Sequence, residues 1–136
     1  MKFTSENINH LESNEIIIFG SNKSGIHLAG LAKYCLDNFG AIYGQGEGLQ
    51  GQCYAFPTKG YKIEKISINE IEKGIPKLIK CINENKDKVF YLTKVGTCLA
   101  GYTIEDIAPL FKDFINFENV VLPKDFYDII INLKTE

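Results

Sequence analysis

The chain has little that would anchor it to a metal, a disulfide framework, a polyanion or a bilayer. Its four cysteines, Cys35, Cys53, Cys81 and Cys98, form no C-x-x-C pair, and only two histidines accompany them. A structural zinc centre needs four such ligands at short spacings, so no metal site is expected. The N-terminus is polar rather than a basic stretch followed by an apolar core. We therefore expect no signal peptide, and reduced thiols in a cytoplasmic protein. No apolar run is long enough to span a bilayer. The formal net charge is only −2 among 136 residues. That balance offers no general attraction to nucleic acid or anionic lipid, and leaves a small local anion pocket open. Internal repeats, low-complexity stretches and linkers are also missing. The length predicts one domain over residues 1–136.

Glycine is what the chain does have: twelve residues, most of them in three clusters. These are Gly20-Ser21-Asn22-Lys23-Ser24-Gly25, the longer Gly44–Gly51 stretch (Gly44, Gly46, Gly48 and Gly51), and Gly96-Thr97-Cys98-Leu99-Ala100-Gly101. The first and third each follow an apolar run and precede a helical pattern. Such junctions bring a ligand close to bare amides at a helix N-terminus, which favours an anion. The spacing predicts a phosphate or diphosphate site.

The apolar periodicity supplies the frame. Glu15–Phe19, Cys53–Phe56, Val89–Thr93 and Asn119–Leu122 read as strands. Helices are expected over 4–12, 26–38, 103–115 and 124–132. Another should start at the capping-box spacing of Ser67 and Glu70 and run to about 85, with Gly74 and Pro76 forcing a late start or a kink. Alternating strands and helices predict a layered α/β domain, with a mostly parallel or mixed sheet between helices. In such sheets ligands bind beyond the carboxyl ends of the strands, where the first and third clusters should meet.

Four stretches carry a family likeness: Ile18-Phe19-Gly20-Ser21-Asn22, Gly44 through Lys59, Val95-Gly96-Thr97-Cys98-Leu99-Ala100-Gly101-Tyr102, and Glu105 through Phe111. The chain resembles a group of small bacterial and phage proteins that are similar in order and layout to macro domains. Macro domains bind ADP-ribose and related nucleotides, and some hydrolyse ADP-ribosyl bonds. The resemblance implies a three-layer α/β/α macro-like fold with a nucleotide ligand and no cofactor. By that likeness Asn22 faces the distal ribose, and Gly25–Gly30 corresponds to the first glycine-rich loop. Gly96, Thr97, Cys98, Leu99, Ala100, Gly101 and Tyr102 match the second phosphate loop.

Around that frame the residues name candidates. Gly20, Ser21, Asn22, Gly25, Gly46, Gly48 and the 96–102 loop are the candidate ligand contacts. Asn22 is also a candidate catalytic residue, positioning the attacking water, and is equally suited to an Asx-type turn. His27, expected just inside the first helix, is a candidate general base, and Glu47 a candidate water-activating carboxylate. Cys98 sits where a thiolate is stabilised, although packing is the commoner role. Lys23 and Lys59 are candidate phosphate neutralisers, or simply solvated. The glycines of 44–51 suggest a mobile flap over a ligand. Three readings follow. One is a nucleotide binder that hydrolyses an ADP-ribosyl bond. The second is a binding module without turnover, and the third a protein-interaction domain whose cleft is filled by Tyr102, Phe56 and Leu99.

Overall fold

The computed structural model describes residues 1–134. Residues 135 and 136 of the expected 1–136 domain lie outside the described residues. A five-stranded sheet organises them, with strands β1 (Glu15–Asn22), β2 (Gly48–Gln50), β3 (Cys53–Lys59), β4 (Val89–Leu92) and β5 (Val120–Val121). The spatial order is β2-β3-β1-β4-β5. The β1–β3, β1–β4 and β4–β5 pairs are parallel, and β2 alone runs antiparallel, on the β3 edge.

β1 is central because both of its faces are apolar. Ile16 and Ile18 join one core, with Tyr54, Phe56, Phe90, Leu92, Leu78, Ile82, Phe111, Phe114 and Phe126. Ile17 and Phe19 join the other, with Cys35, Phe39, Cys53, Ala55 and Leu11. Helix α1 (Gly30–Asn38) contributes to the second core. Helices α3 (Ile75–Glu84), α4 (Ile104–Ile107), α5 (Lys124–Lys134) and the 3-10 segment Ala108–Asn116 contribute to the first, as does the short α2 (Ile68–Glu72) through Ile71. This is a three-layer α/β/α arrangement. Each fully buried Ile, Leu or Phe contributes about 1.5–3 kcal/mol. Among the described residues no helix is long and apolar enough to cross a membrane.

Several expected elements differ. Residues 4–12 form no helix. Their polar groups are taken by the sheet edge instead: Thr4 donates its amide to Leu122 O and its hydroxyl to Val121 O. The helix expected at 26–38 starts at Gly30, whose φ of +58° swings the chain into it. The 67–85 segment does break where Gly74 and Pro76 are expected to break it: it is two helices, parted at Lys73-Gly74, the second starting late at Ile75. The predicted 103–115 helix keeps four α-helical residues, capped by Thr103, and then tightens into 3-10 geometry just before Pro109, which has no amide to donate. β3 continues through Pro57, beside a register irregularity after Ser21 where a strand tolerates a missing donor.

Chain order creates the site. From β1 the chain passes through α1 to β3 on one flank, and only later reaches β4 on the other. The carboxyl end of β1 therefore lies where the two halves of the sheet diverge, which is where a crevice opens.

Candidate functional site

A cavity of about 490 Å³ occupies that crevice. This lies within the range of small-molecule sites. Its floor comes from the strand ends: Gly20, Ser21 and Asn22 of β1, Thr58 and Lys59 of β3, and Thr93 just past β4. One wall is Ile26, Leu28, Ala29 and the first turn of α1. The opposite wall is Val95 through Ala100.

Both walls carry backbone donors without internal partners. Ala29, the residue just before α1, makes no side-chain cap, so the first-turn amides of Gly30, Leu31 and Ala32 are unpaired, as at any uncapped helix start. In the second wall Thr97 donates to Lys94 O, Gly101 to Cys98 O and Tyr102 to Gly96 O. Among the described residues the amides of Cys98, Leu99 and Ala100 donate to no group of the chain. Segments some seventy positions apart thus set two groups of free donors around one space.

Asn22 is 7% exposed and lines the cavity. Its side chain closes its own loop: Nδ2 donates to Ile26 O and Oδ1 accepts from Ile26 N, both at 2.9 Å. This is the Asx-type alternative, and it fixes the backbone that leads to α1. Asn22→Ala should lower stability by about 1–2 kcal/mol, because it leaves both groups of Ile26 without partners. Denaturant titration checks this.

The cavity gathers Gly20, Ser21, Asn22, Gly96, Thr97, Cys98, Leu99 and Ala100 from the expected site. It does not gather Gly25, Gly46, Gly48, His27, Glu47, Gly101 or Tyr102. His27 precedes the helix rather than opening it, and it is fully buried. Its Nε2 meets Gln45 O at 3.0 Å, its ring lies edge-on to Phe19, and Nδ1 has no partner. An imidazole so placed holds two loops together and reaches no ligand in the cavity. Glu47 lies in a separate hollow with Lys23, Tyr61 and Glu70, and pairs with Lys77 at 3.5 Å. Tyr102 turns away to donate to Ile66 O at 2.6 Å.

The expected flap over 44–51 is a packed loop. Gly25 and Gly46 let its backbone press against residues 22–25: an added Cβ would lie 2.4 Å from Gln45 N or from Asn22 O. Gln50 is buried and ties the loop down, with Nε2 donating to Gly48 O and Oε1 accepting from Ile42 N.

Sequence reasoning passed over several lining residues. Lys94, one position past Thr93, sits between Glu6 and Asp125 at 2.9 and 2.8 Å. These two carboxylates, Asp125 first, push its pKa up and keep it charged. They also offset its charge. Lys59, by contrast, is an expected phosphate neutraliser; it lines the cavity and, among the described residues, forms no ion pair. It is the cation left to meet an anion. Glu6 comes from the segment misread as a helix, so periodicity alone could not place it. Cys98 and Leu99 are exposed at the lip. Among the described residues no three His, Cys, Asp or Glu side chains cluster to hold a metal ion.

No family model and no curated protein sequence matches the chain. Among solved structures, Thermosipho africanus DarTG in complex with ADP-ribose superimposes with a TM-score of 0.58 and 16% sequence identity. The match covers 82% of this chain and 38% of that one, so the chain spans well under half the length of its structural neighbour. At that identity the likeness concerns architecture. The fold is macro-domain-like, α/β/α with a largely parallel sheet.

Proposed function

We propose that this chain binds an ADP-ribose-like or related nucleotide in the crevice at the carboxyl ends of β1, β3 and β4. One observation carries the reading: unpaired donors from the start of α1 and from Cys98–Ala100 line the same open cavity. A diphosphate bridging them would satisfy both groups at once. Lys59 adds a positive charge, and the mostly apolar lining, to which Ile26, Leu28, Ile63 and Leu99 contribute, suits sugar or base. The structural neighbour was solved with ADP-ribose bound, which makes that compound the first to try. The open cavity speaks against an interaction domain with a filled cleft. Phe56 lies in the core and Tyr102 faces elsewhere.

Binding without turnover fits better than hydrolysis at the distal ribose. Asn22 has both amide groups engaged by Ile26, and neither His27 nor Glu47 reaches the cavity. Among the described lining residues the carboxylate is that of Glu6, already paired with Lys94. Calorimetry with ADP-ribose, NAD and AMP should give a dissociation constant in the micromolar range for at least one of them. No heat and no thermal shift with any at millimolar concentration would refute the proposal. Incubation with an ADP-ribosylated protein should show retention of the modification, and its release would restore the hydrolytic reading.

A further inference from the structure

Ile63 is the one non-glycine residue with positive φ among those described, at +62°. For a β-branched side chain this is an outlier, since Cβ and both γ carbons crowd the backbone there. Such conformations persist only where the surroundings over-determine them, and they collect at ligand sites. Ile63 lines the cavity and is 41% exposed.

Its loop is rigidly built. Gly60 donates to Glu64 O at 2.9 Å, Ile63 donates to Gly60 O at 3.1 Å, and Lys62 donates to Glu64 Oε1 at 2.9 Å. Lys59 and Lys65 close its base as a β-bridge. The loop is also tied to the chain just before one wall of the cavity and just after the other. Ser24 donates its hydroxyl to Tyr61 O, Tyr102 donates to Ile66 O, and Lys65 lies 4.3 Å from the Tyr102 ring centroid. The strained residue thus sits in a loop fastened at Ser24 and Tyr102, with a half-exposed apolar side chain at the cavity that belongs to neither core.

We propose that Ile63 is a specificity-determining residue, held in a strained conformation so that its side chain packs on a carbon-bearing part of the ligand next to the phosphate. This rests on the nucleotide-binding reading above. Its stability arm does not, because strain is present without ligand.

The test uses Ile63→Gly and Ile63→Asn, two residues that accept the left-handed region. Without ligand, Ile63→Asn should melt about 2–4 °C above the wild type, and Ile63→Gly no lower than it, because glycine returns part of the gain as unfolded-state entropy. With ADP-ribose, both variants should bind about tenfold more weakly through lost apolar contact. Inorganic pyrophosphate, which offers no carbon face, should bind all three proteins with the same affinity. Melting temperatures below the wild type in both variants overturn the inference, since no strain was stored. Undiminished ADP-ribose affinity overturns it as well, as does an equal loss for pyrophosphate, which would mark loop distortion. Absence of heat from the wild type with every nucleotide would refute the ligand reading, while the melting comparison still decides whether Ile63 is strained.

Discussion

Alanine at Gly46 is expected to cost the fold about 3 kcal/mol or more and to abolish ligand binding. The added methyl would sit 2.4 Å from Asn22 O and 2.5 Å from Lys23 O. Both are backbone atoms, so no side chain can swing away, and one loop must move off the other. Moving it would break the Ser21 hydroxyl bond to Gly46 O and strip Gln45 O from His27. The displaced 22–26 segment leads directly to Ile26, Leu28 and Ala29 of the cavity wall. Gly44 supplies the control. It has φ +95° and open space where a Cβ would stand, so alanine there should cost only about 1–2 kcal/mol of backbone strain. Denaturant midpoints of the two variants, with calorimetry on whatever remains folded, read the difference. A Gly46→Ala protein as stable as Gly44→Ala would mean that the loops part easily, and would revive the expectation of a mobile flap.

The frame was legible because its signals are local. Three consecutive isoleucines with Phe19 read as a doubly buried strand, and burial of both faces is what makes β1 central. The apolar run at Val89–Leu92 and the helical stripes of α3 and α5 were legible for the same reason. The site was half legible. Glycines at strand ends mark close approach, and Gly20–Asn22 and Gly96–Ala100 do meet at one cavity. The Gly44–Gly51 cluster misled because glycine is needed equally for a mobile loop and for tight contact between backbones, and sequence carries no sign of which. His27 misled similarly. Imidazole chemistry suits a base near neutrality, yet burial against Phe19 and Gln45 depends on a loop eighteen residues away. Thr4 and Glu6 were misplaced because their partners, Val121, Leu122 and Lys94, lie about ninety or more positions distant.

Aspartate at Ala29 should separate binding from folding, with opposite signs. Ala29 is exposed, extended in backbone, and offers the start of α1 no side-chain partner. A carboxylate there would lie at the positive end of the helix, within reach of first-turn amides. That should raise stability by about 0.5–1 kcal/mol. The same carboxylate would occupy the donors proposed for phosphate and set a negative charge against the ligand. Loss of one charge-assisted anion contact, plus repulsion, predicts affinity for ADP-ribose falling by about thirtyfold or more. Ala29→Asn serves as the companion variant: it can cap without charge, so it should keep most of the stability gain and lose less affinity. The contrast grows at low ionic strength, because the repulsive part is screened by salt. Equal ADP-ribose affinity for the wild type and Ala29→Asp would show that the ligand does not use the α1 end of the crevice. The phosphate would then have to be held by the Cys98–Ala100 amides and Lys59 alone.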